Sequence, residues 1–326
     1  MYEAYYHLTA KPFPLRPDPR FFFASSSHKR AMSYLQYGIE QGEGFIVITG
    51  DIGTGKTTLV QNLFNHLERD NLLAAQLVTT QLQSEDLLRM VAASFGLEYE
   101  GMSKAALLRQ FGKFLEKNAW EGKRVLLVVD EVQNIPMESL EELRMLSNFQ
   151  VANVSVLQTF LLGQKEFNAT LNSRSMEQLR QRVIASYQLK SLNQEEVRHY
   201  IEHRLALAGW QDNPSFSSES FDMIHAYTAG VPRRINMFCD RILLYGYLEE
   251  LNAIGQKVVQ AVIDELKEEV AHQQEHEFQE EQSSGTRSPN HHLENRLSVV
   301  EERVAELEDA LQLERARLRA LTLNGK

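Results

Sequence analysis

The sequence has little cysteine and no long apolar run, and both absences restrict the class of protein. Cys239 is the only cysteine among 326 residues, so no intramolecular disulfide can form, which fits a reducing compartment. The longest apolar stretches have the length of a strand and fall short of the roughly 20 residues that a membrane-spanning helix needs. Residues 1–11 have no basic cluster followed by an apolar run, so they do not resemble a signal peptide. We therefore expect a cytoplasmic protein that reaches the inner membrane only through partners.

The sequence also lacks an excess of basic residues. It has 34 basic and 44 acidic side chains, which gives a formal net charge of −10. This balance argues against a protein that coats nucleic acid or anionic membranes through bulk charge. However, residues 264–326 contain 15 of the acidic and 8 of the basic residues, which gives them a net charge of −7. Residues 1–263 therefore contain 29 acidic and 26 basic residues, with a net charge of −3. The charge therefore describes mainly the tail and says little about the body of the protein.

Apolar residues are plentiful, at 43%, and the length predicts about two domains at roughly 150 residues each. Residues 1–190 alternate short β-rich runs with helical stretches, a pattern typical of an α/β layer architecture. The third and fourth runs are apolar throughout, as in central strands that are covered on both faces. The predicted strands are Phe45–Thr49, Ala74–Val78, Arg124–Asp130, Val156–Leu162 and Ser186–Leu189.

The rest of the chain divides into three predicted regions. Residues 191–270 have only helical patterns and predict a small helical lid domain, with a capping box at Asn193 and a last helix over Lys257–Val270. Residues 271–292 are polar and predict a flexible linker. In residues 293–323 apolar side chains recur at spacings of four and three, which predicts a coiled coil with a protein partner, a membrane-associated one included. The alternative is an amphipathic helix that folds back on the body.

One segment matches the phosphate-binding pattern GxxxxGK[ST] in full. It follows an apolar strand and precedes a helical stretch, which is the context that this motif requires. The glycines allow backbone N–H groups to converge on phosphate oxygens, and the start of the helix adds positive partial charge. Lys56 would reach the β- and γ-phosphates of ATP, and the Thr57 hydroxyl would bind Mg²⁺. The alternative is a glycine-rich turn that binds nothing. The predicted nucleotide-binding residues of this segment are Gly50, Asp51, Ile52, Gly53, Thr54, Gly55, Lys56, Thr57 and Thr58.

Two adjacent carboxylates, Asp130 and Glu131, follow the third predicted strand. Asp130 would hold Mg²⁺ and Glu131 would polarise the attacking water. Acidic residues are common at strand ends, and solvated loop acids are the alternative. Because this pair follows both a phosphate loop and a buried strand, it favours hydrolysis of the nucleotide over storage.

With these motifs, about residues 1–270 resemble the ExeA-type (general secretion pathway protein A) AAA+ ATPases, and most of all the branch associated with exosortase and exopolysaccharide gene clusters. The fold implied is an α/β P-loop NTPase of the AAA+ type with a C-terminal helical lid, followed by the linker and the coiled coil. The other segments that carry the resemblance are 13–23 with His28, 37–38, 42–44, 130–133, 143–148, 162–164, 179–183 and 230–236.

The resemblance also implies roles for residues outside the two motifs. Gln164 stands where the polar sensor of the γ-phosphate is found, and Arg233 matches the second sensor in the lid. Residues 179–183 match the segment that supplies an arginine finger to a neighbouring subunit, and either Arg180 or Arg182 fits this role, with Arg182 favoured. A surface salt bridge is the alternative for both. The family further implies a homo-oligomer, of which a hexameric ring is one form, and places residues 13–23 and His28 near the adenine.

Two departures from the family pattern limit these implications. Residues 163–167 read Gly-Gln-Lys-Glu-Phe where the family often has Gly-Gln-Pro-Glu-Leu, and the transmembrane helix and peptidoglycan-binding domain of secretion-type members are absent from the sequence. A role in cell-wall remodelling is therefore not favoured. We expect hydrolysis of ATP to ADP and phosphate to drive conformational change in support of exopolysaccharide production or export, or of envelope complex assembly. The alternatives are a DNA-binding ATPase of the transposition-regulator kind, although nucleic acid is the less favoured partner, and a nucleotide-switched scaffold that acts through its coiled coil.

Overall fold

A computed structural model describes residues 1–14, 16, 18–67, 72–78, 84–152 and 154–283. Residues Met1–Ile263 form one compact unit, and the chain from Asp264 onward belongs to a second. The predicted coiled coil at 293–323 lies outside the described residues. Among the residues that are described, no helix combines the length and the hydropathy that crossing a bilayer requires.

Helices and strands alternate through the first part of the chain and helices dominate the second. The helices are α1 (Tyr2–Tyr5), α2 (Ser26–Gln41), α3 (Lys56–Leu67), α4 (Ser84–Ser94), α5 (Lys104–Trp120), α6 (Met137–Leu146), α7 (Phe167–Leu171), α8 (Glu177–Arg180), α9 (Gln194–Leu207), α10 (Ser218–Thr228), α11 (Pro232–Leu248) and α12 (Gln256–Ser283). The strands are β1 (Phe45–Gly50), β2 (Leu72–Val78), β3 (Arg124–Asp130), β4 (Gln150–Val151), β5 (Val154–Ser155), β6 (Leu157–Gly163), β7 (Val183–Leu189), β8 (Ser215–Phe216) and β9 (Ala253–Ile254).

The central sheet of the described chain has five parallel strands in the order β2-β3-β6-β1-β7. All five predicted strands are present, and their ends differ from the prediction by at most three residues. β1 and β6 are buried along their whole length, and β3 is buried from Val125 onward, so helices cover both faces of the sheet. Because the strands are parallel, the segments that follow β1, β3 and β6 emerge at one edge of the sheet.

The helices α9 to α11 and the start of α12 form the predicted lid. α9 begins with the predicted capping box: Glu196 N donates to Asn193 Oδ1 over 2.9 Å, and Asn193 N donates to Glu196 Oε2 over 3.1 Å. The chain's first residues pack on the same helices, since Tyr2 OH donates to Asp240 on α11 over 2.6 Å. The N-terminus therefore belongs structurally to the lid.

The last described helix differs from the prediction. α12 continues to Ser283, whereas the sequence predicted a helix that ends at Val270 and a flexible linker over 271–292. Residues 271–283 have few apolar side chains, but they contain no glycine or proline and are rich in glutamate and glutamine, which have high helix propensity. Helix propensity therefore extends the helix where the lack of apolar residues suggested a linker. Residues 284–292 lie outside the described part.

Candidate nucleotide site

A cleft of about 440 Å³ opens beside the edge of the sheet where β1 ends. The phosphate loop joins β1, which ends at Gly50, to α3, which begins at Lys56, and residues 52–58 line the cleft. Segment 18–28 and the lid helices α9 and α11 supply the remaining walls. The strand, loop and helix predicted for the motif are therefore present, and the cleft lies between the sheet domain and the lid.

Lys56 is held inside the loop that it belongs to. Its Nζ donates to the carbonyl oxygens of Gly50, over 2.9 Å, and Asp51, over 3.1 Å, and its side chain is buried. Burial lowers the pKa of Lys56, although Glu131 and Asp130 nearby favour the charged form. Two carbonyl dipoles thus hold the ammonium group in the loop, where the phosphate oxygens of a nucleotide would be stronger partners for its charge.

The loop requires glycine at two positions for reasons visible in its contacts. Gly53 has φ +82°, and a Cβ added there would lie 2.5 Å from Cβ of Arg233 in the lid. Gly55 has φ +95°, and its added Cβ would lie 3.0 Å from Nε2 of His28. Both residues therefore have a backbone conformation and a close neighbour that exclude a side chain. The loop with its buried lysine fits a polyphosphate group.

Thr57 and Asp130 form the pair of oxygen ligands predicted for Mg²⁺. Thr57 Oγ1 donates to Asp130 Oδ2 over 2.9 Å, and Gln76 Nε2 on β2 lies 3.4 Å from the same oxygen. Burial raises the pKa of the Asp130 carboxyl, while the hydrogen bond from Thr57 acts in the opposite direction. A hydroxyl and a carboxylate at this spacing match the hard oxygen ligands of Mg²⁺, and these two residues would hold it.

Glu131 is held in an uncommon backbone conformation directly after β3. Its φ of 54° and ψ of 39° lie in the left-handed region, which non-glycine residues rarely occupy. Asp130 Oδ1 accepts the Glu131 N–H over 2.9 Å, and Gln133 Nε2 donates to Glu131 Oε2 over 2.6 Å. Such strain is found preferentially at functional sites, and Glu131, the predicted water-polarising residue, is one of the residues that line the cleft.

The two predicted sensors approach the same edge from different sides. Gln164 is the first residue after β6, and its main-chain N–H donates to Gln133 Oε1 over 2.9 Å. Arg233 lies at the start of α11, where its N–H donates to the Gly53 carbonyl over 3.1 Å and its side chain lines the cleft. The lid therefore contacts the phosphate loop through the predicted second sensor itself.

His28 connects the N-terminal segment to the phosphate loop. α2 begins after Ser25, whose Oγ caps the helix by accepting the His28 N–H and lies 2.7 Å from His28 Nδ1. The other ring nitrogen, Nε2, donates to the Thr54 carbonyl over 3.1 Å. Burial lowers the pKa of His28, which favours the neutral ring. Of the aromatic residues in segment 13–23, three phenylalanines line the cleft, at positions 21–23, whereas Phe13 is fully buried in the core.

Three lid residues that line the cleft were not singled out from the sequence. Tyr200 OH donates to Asn236 Oδ1 over 2.8 Å, and Arg204 Nη1 donates to the Tyr200 hydroxyl over 2.9 Å. The buried Arg204 guanidinium also donates to the Pro12 carbonyl over 2.8 Å and lies 4.9 Å from the centre of the Phe21 ring. The sequence offers two weak signals for these residues, since Tyr200 and Arg204 are four positions apart on α9 and Asn236 is three positions after Arg233 on α11. Such spacings place side chains on one face of a helix, but they are common on any helix.

The two candidate arginine fingers are not brought to this chain's own phosphate loop. Arg182 directly precedes β7, whose first residue pairs with Phe45 at the start of β1, whereas the loop follows the other end of β1. Arg182 Nη1 donates to the Ser147 carbonyl over 3.2 Å, and the exposed Arg180 donates to the Asn172 carbonyl over 3.2 Å. Within the described residues neither arginine forms an ion pair, so the salt-bridge alternative has no partner there.

Comparison with known proteins places this site in a family context. A family described as an AAA domain matches residues 39–171. General secretion pathway protein A from Aeromonas hydrophila is 34% identical over 248 residues, which are 76% of this chain but 45% of that protein. The chain thus spans less than half the length of this relative.

Solved structures share the fold at lower identity. Cdc6p from Pyrobaculum aerophilum has a TM-score of 0.61 at 14% identity, and the match covers 81% of this chain and 70% of that one. The ORC1 protein of Aeropyrum pernix in complex with DNA has a TM-score of 0.57 at 15% identity, and the match covers 78% of this chain and 69% of that one. The RuvB Holliday junction branch migration motor of Thermotoga maritima has a TM-score of 0.53 at 17% identity, and the match covers 78% of this chain and 73% of that one. These likenesses show that the chain has the P-loop AAA+ fold, as predicted.

Proposed function

Because the chain is an AAA-domain protein and a relative of general secretion pathway protein A, we propose that it hydrolyses ATP to ADP and phosphate and uses the reaction to drive a conformational change. One observation carries this proposal: the phosphate loop, the Thr57–Asp130 pair and Glu131 meet at one edge of the sheet, with Thr57 Oγ1 2.9 Å from Asp130 Oδ2. A simple nucleotide-storage site has no need of the strained carboxylate that follows this pair.

Each group has a defined part in the reaction. The N–H groups of the loop and the Lys56 ammonium bind the phosphates of ATP, and Glu131 orients a water molecule and accepts its proton as the water oxygen bonds to the γ-phosphorus. The bond between this phosphorus and the β–γ bridging oxygen breaks, and ADP leaves. Mg²⁺ held by Thr57 and Asp130 supplies charge neutralisation at the phosphates when it is bound. Arg233 contacts the loop from the lid, so the state of the phosphates can influence the lid position.

Release of phosphate with ATP and Mg²⁺ tests this function. We expect Lys56→Ala to abolish tight binding of ATP, and Glu131→Gln to bind ATP but lose turnover by roughly 100-fold or more. Lys113→Ala, which changes an exposed lysine on α5 that does not line the cleft, is the matched control and should behave as wild type. Turnover by Glu131→Gln at the wild-type rate would contradict the role of this carboxylate.

We further propose that a neighbouring copy completes the site with Arg182 or Arg180, since neither reaches its own phosphate loop. A guanidinium supplied in this way stabilises charge that develops on the phosphoryl oxygens. Specific activity should therefore rise with protein concentration. Mixing Lys56→Ala with Arg182→Ala should restore activity, because one variant keeps the arginine and the other keeps the loop. The same mixture with Arg180→Ala distinguishes the two arginines, and no restoration with either would refute the shared site.

For the cellular role we propose support of exopolysaccharide production or export, or of envelope complex assembly, with a partner bound through 293–323. The family resemblance and the relative named for general secretion support this role. Deletion of the gene should lower exported polysaccharide, and the Lys56→Ala gene should fail to restore it. If Glu131→Gln restores export while Lys56→Ala does not, the protein acts as a nucleotide-switched scaffold and hydrolysis only resets it.

DNA binding remains the second candidate function. One structural neighbour was solved in complex with DNA, and another is a branch migration motor for DNA junctions. Residues 1–263 are also close to charge balance, so net charge does not oppose it. Turnover that is stimulated by DNA and decreases with salt would favour this function over the envelope role.

A further inference from the structure

Gln133 joins two residues of the candidate site that no backbone pairing connects directly. It lies in the short turn Val132–Asn134 that follows Glu131. Its Nε2 donates to Glu131 Oε2 over 2.6 Å, and its Oε1 accepts the Gln164 N–H over 2.9 Å. A single amide group therefore links the carboxylate after β3 to the first residue after β6.

The two hydrogen bonds determine which way the amide is oriented. A flipped amide would place its NH₂ group against the Gln164 N–H and its oxygen against the Glu131 carboxylate, so that donor would face donor and acceptor would face acceptor. Both contacts would be repulsive. The orientation with the oxygen toward Gln164 is therefore required, and rotation of the amide breaks both bonds together.

The surrounding residues make room for this amide and restrict its movement. A Cβ added to Gly163 would lie 3.1 Å from Gln133 Oε1 and 2.7 Å from Cγ1 of Val132, so a side chain at the end of β6 would displace the turn. Val132 is fully buried and anchors the turn in the core. Glu131 itself is held by the Asp130 carboxylate through its N–H. The bridge therefore lies between the end of β3 and the end of β6.

We propose that Gln133 is a positioning residue that holds the Glu131 carboxylate in its working orientation and makes this orientation depend on the position of Gln164. This inference rests on the proposed hydrolysis of ATP. Gln133 does not line the cleft, whereas Glu131 does. A displacement of the main chain at Gln164 moves Gln133 Oε1, which accepts the Gln164 N–H. Because the amide is planar, Gln133 Nε2 moves with Oε1 and shifts the Glu131 carboxylate to which it donates. The end of β6 thereby controls the residue that activates water.

Substitution by methionine tests the bridge, because Gln133→Met keeps the length of the side chain and removes both hydrogen bonds. We expect kcat to fall by about 10- to 100-fold, since part of the general-base contribution is lost, while KM and the Kd for ATP stay unchanged. Gln133→Glu keeps an acceptor for the Gln164 N–H but sets a second carboxylate against Glu131, so its kcat should fall at least as far as that of Gln133→Met. Asn134→Leu, an amide-to-apolar change at the exposed next residue, should keep wild-type kcat.

A double substitution separates positioning from a general structural role. In the Glu131→Gln background, Gln133→Met should cause no further loss of the residual rate, because the group that it positions is already absent. A further loss of tenfold or more, or an increase in the Kd for ATP, would show that Gln133 supports the fold and would overturn the inference. Wild-type kcat in Gln133→Met would also overturn it while leaving ATP hydrolysis intact. If the wild-type chain itself does not turn over ATP, the proposed function and this inference both fail.

Discussion

The left-handed backbone of Glu131 predicts that the chain is more stable with glycine than with alanine at this position. An L-residue in this conformation is strained by roughly 1–2 kcal/mol, whereas glycine is not. Glycine in turn makes the unfolded chain more flexible, which costs roughly 0.4–1 kcal/mol relative to alanine. Glu131→Gly should therefore be more stable than Glu131→Ala by about 0.5–1 kcal/mol, or about 2 °C in Tm for a body of this size. Comparison with alanine cancels the loss of the carboxylate, which both variants share.

Glu250 offers a matched control in the same chain. It is an exposed residue after α11 with φ 53°, close to the 54° of Glu131, so it shares the positive φ without a role in the site. The difference between Glu250→Gly and Glu250→Ala should equal that between the two variants at 131. Urea denaturation of the nucleotide-free protein measures all four, and phosphate release shows whether only the 131 variants lose turnover.

One pattern of results would refute the reasoning. If Glu250→Gly gains stability over Glu250→Ala while Glu131→Gly gains nothing over Glu131→Ala, the conformation at 131 carries no strain. The backbone of the site would then be relaxed, and the functional interpretation of its unusual φ would be wrong.

Three further predictions concern other parts of the site. Burial lowers the pKa of His28 below 6.5, so as the pH falls the unfolded chain takes up this proton before the folded chain does. The free energy of unfolding should therefore be highest above pH 6.5 and decrease as the pH drops below it. Urea titrations from about pH 5 to pH 7.5 should show that the free energy of unfolding depends less on pH in His28→Gln than in the control His199→Gln. Asp130→Asn should lose Mg²⁺-dependent turnover without losing stability at neutral pH, because burial raises the pKa of this carboxyl and thus disfavours its charged form. A less stable variant in urea denaturation would contradict this. Gly53→Ala should cost about 1–3 kcal/mol more than Gly42→Ala, since both have positive φ but only the first Cβ meets Arg233, and equal losses in denaturation would show that the lid can move away without cost.

Local sequence patterns were sufficient for much of the fold. β1, β3 and β6 are mainly apolar runs buried on both faces, and such runs are recognisable without knowledge of their neighbours. The capping box at Asn193 and the phosphate loop at 50–57 depend on contacts within a few residues of the chain. Lys56, for example, bonds to carbonyls five and six positions before it. Helix α12 extends beyond its predicted end because the high helix propensity of glutamate and glutamine over 271–283 outweighs the scarcity of apolar side chains there.

What the tertiary structure alone decided is which distant residues meet. The order of the strands brings Asp130 to Thr57, 73 positions earlier, and no spacing rule within either motif specifies that contact. The bridge from Glu131 through Gln133 to Gln164 exists because β3 and β6 are neighbours in the sheet. Tyr200 and Arg204 enter the cleft because the lid packs over it. Periodicity records whether a residue is buried, whereas the partner of a buried polar group is determined by strand order and helix packing, which only the folded chain specifies.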